Sequence, residues 1–222
     1  MIACSTLEGI VLATDSCATW FDPEAGMRHF HLKKLLCLGA HAAMVSAGAG
    51  IGVEMGVAFQ QLIQRRKVDG IEEMIRLALP FFTEQYGHYV RRKMMERLPS
   101  PAETERQNEE AFPLSGVYLV LAGYSFKDRH QPYHLHLLGS DEEGMPIRSY
   151  PTSHIIVIPR SLSMERRIEI ELQKRLPLGD LFSLCLSFLE KRSAEEEVGP
   201  PFHFAAITPA GLKEIKQEEV ER

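Results

Sequence analysis

The sequence predicts an α+β protein in which two packed sheets are covered by helices on both outer faces, a four-layer αββα arrangement. Two observations lead there. Predicted elements run as strands, two helices, strands, two helices and last strands, and the strands come as adjacent pairs, which favours antiparallel hairpins over crossovers. In addition, 222 residues with a 45% hydrophobic and 25% charged composition can build a full core. No internal repeat interrupts the pattern, so 1–222 reads as one domain.

In order, Ile2 to Leu7 reads as a first strand and Glu8-Gly9 as a tight turn. Ile10 to Thr14 is a second strand, an apolar run that stops on Asp15 and Ser16. The stretch from Ser16 to His31, with Asp22-Pro23 and Ala25-Gly26 as breakers, reads as a loop. Leu35 to Leu38 and Ala42 to Ser46 then form a hairpin across Gly39-Ala40-His41.

From Ile51 the period changes to that of a helix, with Ile51, Met55, Ala58, Phe59, Leu62 and Ile63 on one stripe. Asp69 followed by Glu72 resembles a capping box and starts a second helix. Pro80 is expected to kink or split it. Residues 99–113 are polar, Glu-rich and carry three prolines, so they read as a mobile loop. Strands resume at Val117 to Tyr124, Tyr133 to Leu138 and His154 to Ile158, with a turn at 140–144. Helices follow at Ser161 to Arg175 and Leu178 to Lys191, and a last hairpin spans Phe202 to Lys216 over Pro209-Ala210-Gly211.

Composition narrows the function. A net charge of −5 gives no electrostatic reason for nucleic-acid or anionic-membrane binding. No apolar run approaches the roughly 20 residues of a membrane span. Nor is there the basic and apolar start of a signal peptide. Cys4, Cys17, Cys37 and Cys185 are scattered, without metal-type pairing. The expectation is a cytoplasmic protein whose cysteines are reduced. His134 and His136 share a strand face, and His29 and His31 flank Phe30, yet neither pair has a third ligand at suitable spacing. No metal or other cofactor is expected. Gly48-Ala49-Gly50-Ile51-Gly52 follows a strand and opens a helix, but its spacing departs from G-x-G-x-x-G, so close strand–helix packing is favoured over a phosphate cradle.

Three segments belong together: Gly9-Ile10-Val11-Leu12-Ala13-Thr14-Asp15-Ser16, Lys33-Lys34-Leu35-Leu36 and Ser46-Ala47-Gly48. In that order they resemble the start of a proteasome β-type subunit, a family that includes the bacterial HslV peptidase and related bacterial homologues. The likeness covers the first third of the chain, and beyond it element order and the Ala205-Ala206-Ile207-Thr208 hairpin agree. It implies an N-terminal-nucleophile hydrolase fold and a threonine-type peptidase in a ring-forming, self-compartmentalised assembly for cytoplasmic protein degradation. The implied partners are further copies of the chain, polypeptide substrates and an ATPase unfoldase.

The resemblance maps the orienting acid onto Asp15 and the catalytic lysine onto Lys34, with Lys33 as its stand-in. It maps the oxyanion-facing residue onto Gly48 and a groove-lining threonine onto Thr19. The family's nucleophilic threonine falls about two residues before Met1. Cys4, Ser5 and Thr6 lie too far into the first strand to replace it. The family's downstream arginine-aspartate-x-x-serine pattern is not kept in 191–197, where Ser193 is an ambiguous match. Two alternatives stand beside the peptidase: a catalytically inactive scaffold or binding subunit, and an N-terminal-nucleophile amidase acting on small amides.

Overall fold

In the computed structural model the described residues are 1–22, 26–96, 115–142, 145–151, 153–193 and 198–220, with the side chains of 19–22, 26–29, 96, 115 and 142 outside the description. The 99–113 loop expected from sequence lies outside the described residues.

The first sheet contains β1 (Ile2–Ser5), β2 (Ile10–Thr14), β10 (Ile155–Val157), β11 (His203–Thr208) and β12 (Gly211–Ile215). Their order is β10-β1-β2-β11-β12, and every pairing is antiparallel. The second contains β5 (Leu35–Gly39), β6 (Ala42–Gly48), β7 (Ser115–Tyr124), β8 (Tyr133–Glu142) and β9 (Arg148–Ser149), paired antiparallel in chain order. A separate hairpin joins β3 (Cys17–Asp22) to β4 (Gly26–His31). It occupies the stretch expected to be a loop. Its residues pair in register from Cys17↔His31 to Asp22↔Gly26.

Alternation sorts the apolar side chains into three clusters. Ala3, Ile10 and Leu12 meet Leu35, Val45 and Val120 between the two sheets. The opposite face of β1 and β2, with Cys4, Val11 and Ala13, packs under α4 (Leu178–Ser193) through Leu181, Cys185 and Leu189. Ile168 from α3 (Leu162–Gln173) joins the same cluster. Met44, Leu119 and Leu121 pack against Phe59 of α1 (Ile51–Arg66) and Phe82 of α2 (Ile71–Glu96). Burial on both faces explains why Ile10–Thr14 reads as an unbroken apolar run. A short α5 (Gln217–Val220) ends the described chain.

Pro80 neither splits nor ends α2, which is helical from Ile71 to Glu96. The proline and Arg76, whose carbonyl loses its i+4 donor, are both on the exposed face. Ala78, Met74 and Phe82, all fully buried, hold the buried face in place.

Candidate active site

Three strand ends meet at one mouth between the sheets. β2 ends at Thr14, and its pairing with β1 and β11 fixes where Asp15 leaves the sheet. Lys34 directly precedes β5, and its carbonyl accepts a hydrogen bond from the Ser46 N–H at 3.0 Å. That bond sets Lys34 beside the Ser46-Ala47-Gly48 end of β6. Lys34 Nζ donates to Asp15 Oδ2 at 2.8 Å, and the two side chains are only 13% and 7% exposed. The same Oδ2 accepts the Cys17 N–H at 3.0 Å, which clamps the carboxylate to the start of β3. Lys33, the stand-in expected from sequence, points elsewhere and grips Glu214 with both carboxylate oxygens at 2.8 Å.

Gly48 ends β6 at φ +82°, and a Cβ there would lie 1.9 Å from the Gly116 carbonyl oxygen. Both facts require glycine, because the left-handed backbone and the close approach of β7 exclude a side chain. Gly52 packs α1 onto β7, since a Cβ there would meet Val117 Cγ2 at 3.0 Å. Backbone packing thus accounts for the last glycine of the Gly48-to-Gly52 stretch.

The N-terminal end of β1 reaches the same mouth. Met1 is buried, and its α-amino group donates to the Ile158 carbonyl at 2.8 Å. Burial pushes that amine down to about 6; the Asp15 carboxylate opposes the shift and the Lys34 ammonium adds to it. Met1, Asp15, Lys34 and Gly48 line one cleft of about 1690 Å³. Thr19 lies on β3, whose first residues Cys17 and Ala18 line this cleft; its side chain is outside the described residues. Ser193 ends α4, and 194–197 are not described.

Such a mouth has three parts useful for acyl transfer: a buried ammonium held by a carboxylate, an amine whose pKa lies near neutrality, and backbone at a strand end. Sequence reading missed that Ile158 anchors the amine, because the partners are 157 residues apart and carry no shared motif. It also missed Tyr118, Asp141 and Tyr150 on the cleft wall. Among the described residues, no group of three or more His, Cys, Asp or Glu gathers to hold a metal ion. His136 faces Ser149 Oγ at 3.4 Å, and His134 Nε2 lies 3.9 Å from Asp128.

Neither the protein-family models nor the curated proteins compared with this chain match it. Among solved structures it is similar to Anbu (ancestral beta-subunit) from Yersinia bercovieri, at 16% identity and a TM-score of 0.56, over 98% of this chain and 87% of that one. The likeness is to an ancestral β-subunit. At that identity it shows the fold alone, and the fold is proteasome-like. It corrects the assignment drawn from sequence to the proteasome β-type and HslV-like proteins, because the neighbour represents a proteasome-like but distinct family. Asp15, Lys34 and Gly48 are single residues at strand ends, and so few positions constrain local geometry without fixing which proteins the whole chain resembles. Among the described residues, no helix is long and apolar enough to cross a membrane.

Proposed function

We propose that this chain is a proteasome-like subunit, a single domain of four layers, αββα, whose cleft is the site of an N-terminal-nucleophile hydrolase acting on peptide bonds. The supporting observation is the meeting of the β1 amine end, the Lys34–Asp15 pair and Gly48 in one cleft. In this reading a hydroxyl on the mature N-terminal residue attacks the peptide carbonyl. The α-amino group of that residue takes the hydroxyl proton and passes it to the leaving amine. Lys34 keeps positive charge beside the nucleophile and Asp15 orients Lys34. The Gly48 N–H receives the developing oxyanion, Thr19 lines the substrate groove, and water then hydrolyses the ester.

Met1 has no hydroxyl or thiol, so the proposal requires a mature N-terminus that carries one. The experiment is intact-mass and N-terminal sequencing of protein made from its native locus, paired with labelling by a peptide electrophile. An N-terminal threonine that takes up the label, lost in Lys34→Ala, supports the enzyme. An N-terminus at Met1 with no labelling refutes it.

A catalytically silent scaffold is the second reading. It is favoured by Met1, which is 5% exposed and packs into the cluster between the sheets. Under either reading we propose a cytoplasmic homo-oligomer, with an ATPase unfoldase as partner of the active form. Sedimentation as a monomer at micromolar concentration refutes the oligomer.

A further inference from the structure

The cleft continues from Gly48 past Gly116 to a wall that the hydrolase chemistry does not use. Tyr118 on β7, Tyr150 just after β9 and Tyr89 on α2 line it, with Asp141 of β8 among them. Tyr118 donates its hydroxyl to Asp141 Oδ1 at 3.0 Å, and Arg148 donates to the other carboxylate oxygen. Burial first, then the Asp141 hydrogen bond and charge, push the Tyr118 phenol up to about 12, so it stays a neutral donor. The Arg148 guanidinium lies 5.0 Å over the Tyr150 ring.

Two features make these rings a preorganised surface. Gly139 lies beside Tyr118: a Cβ at Gly139 would sit 2.8 Å from Tyr118 Cδ1, so one edge of the ring packs against bare strand backbone. Tyr150 is pinned by Arg148 on one face. The polar end of Tyr118 is committed to Asp141, and what the two rings offer to the cleft is apolar and aromatic. Rigid rings of this kind take another ring in offset or edge-to-face contact with little ordering cost.

We infer that this wall is a subsite for an aromatic side chain of a bound peptide, contacted by Tyr118 and Tyr150 and separate from the reacting centre. The inference rests on the peptide-binding reading of the cleft. Arg148 and Asp141 act as positioning residues that hold the rings, and the ligand touches the rings themselves.

The test is direct binding to the full chain by saturation-transfer NMR, with N-acetylphenylalaninamide and N-acetylleucinamide as probes. The phenyl probe is expected to bind about three- to ten-fold more tightly, as for an aromatic pair beyond area burial alone. Tyr118→Leu and Tyr150→Leu each reduce that preference while keeping an apolar wall. Equal binding of the two probes overturns the subsite, as does a preference that survives both substitutions. Neither probe needs to be cleaved, so the outcome is independent of the hydrolase. If peptide hydrolysis is present, the same substitutions raise KM for Phe-containing peptides with kcat unchanged. A loss confined to kcat contradicts the subsite while leaving the hydrolase standing.

Discussion

Replacing Lys34 by methionine tests whether the Asp15–Lys34 pair is a buried, interdependent unit. The ion pair is short, at 2.8 Å, and both side chains are almost out of solvent. At an effective dielectric of about 20 the gross attraction at this distance is roughly 6 kcal/mol, set against the desolvation of both ions. Lys34→Met leaves the Asp15 carboxylate buried with the Cys17 N–H as its hydrogen-bond donor among the described residues. An abandoned buried charge costs about 3–5 kcal/mol, which for a chain of this size lowers Tm by roughly 6–20 °C. The Lys34→Met/Asp15→Asn double variant removes the orphaned charge and should recover about 1–3 kcal/mol of that loss as coupling. Urea denaturation of the wild type, both single variants and the double variant closes the cycle. Lys33→Met is the control, because its pair with Glu214 is 47% and 46% exposed and is worth about 0–1 kcal/mol. The reasoning is refuted if Lys34→Met costs less than Lys33→Met, or if the two single effects simply add.

Three further outcomes follow from the geometry. Gly48→Ala should destabilise by more than ~1 kcal/mol, since it meets the Gly116 carbonyl and a φ of +82° together; a thermal melt within a degree of wild type contradicts this. Phe59→Ala, which removes a fully buried ring 4.9 Å from Phe82 and 5.3 Å from Phe81, should cost ~3–5 kcal/mol in denaturant titration. Cys37 is pushed up from 9.0 to about 11 by burial, then by its hydrogen bond to Glu214 and the charge it faces there. Its alkylation should therefore rise only as pH approaches 11, and Glu214→Gln should move that rise to lower pH. Because the folded state holds this proton more tightly, the associated stability is complete below pH 9 and is lost between 9 and 11. A midpoint unmoved by Glu214→Gln contradicts the assigned cause.

Much of the architecture was legible because burial leaves a periodic trace. The continuous run Ile10–Thr14 reflects a strand covered on both faces, and the α1 stripe ends up against Met44 and Leu119. The β3–β4 hairpin was not legible, because Asp22-Pro23 and Ala25-Gly26 read as loop breakers and masked the strands that pair on either side of them. Pro80 misled for the opposite reason: its cost falls on the exposed side of a helix held by its buried face. Within the site, Asp15 and Lys34 were readable as types at strand ends. Which of two adjacent lysines faced Asp15 was not, because Lys33 and Lys34 point to opposite faces and only the fold reveals which side holds Glu214. The family assignment failed at finer grain, since it rested on a few strand-end residues in the first third of the chain, while the structural neighbour over 98% of it is a proteasome-like but distinct protein.

The most direct measurement is the identity of the mature N-terminal residue, read together with covalent labelling of the native protein by a peptide electrophile. The account predicts a threonine at the N-terminus, carrying the label, in protein whose Lys34 is intact. A mature chain that starts at Met1 and stays unlabelled would contradict the hydrolase, leaving the cleft as the mouth of a proteasome-like scaffold.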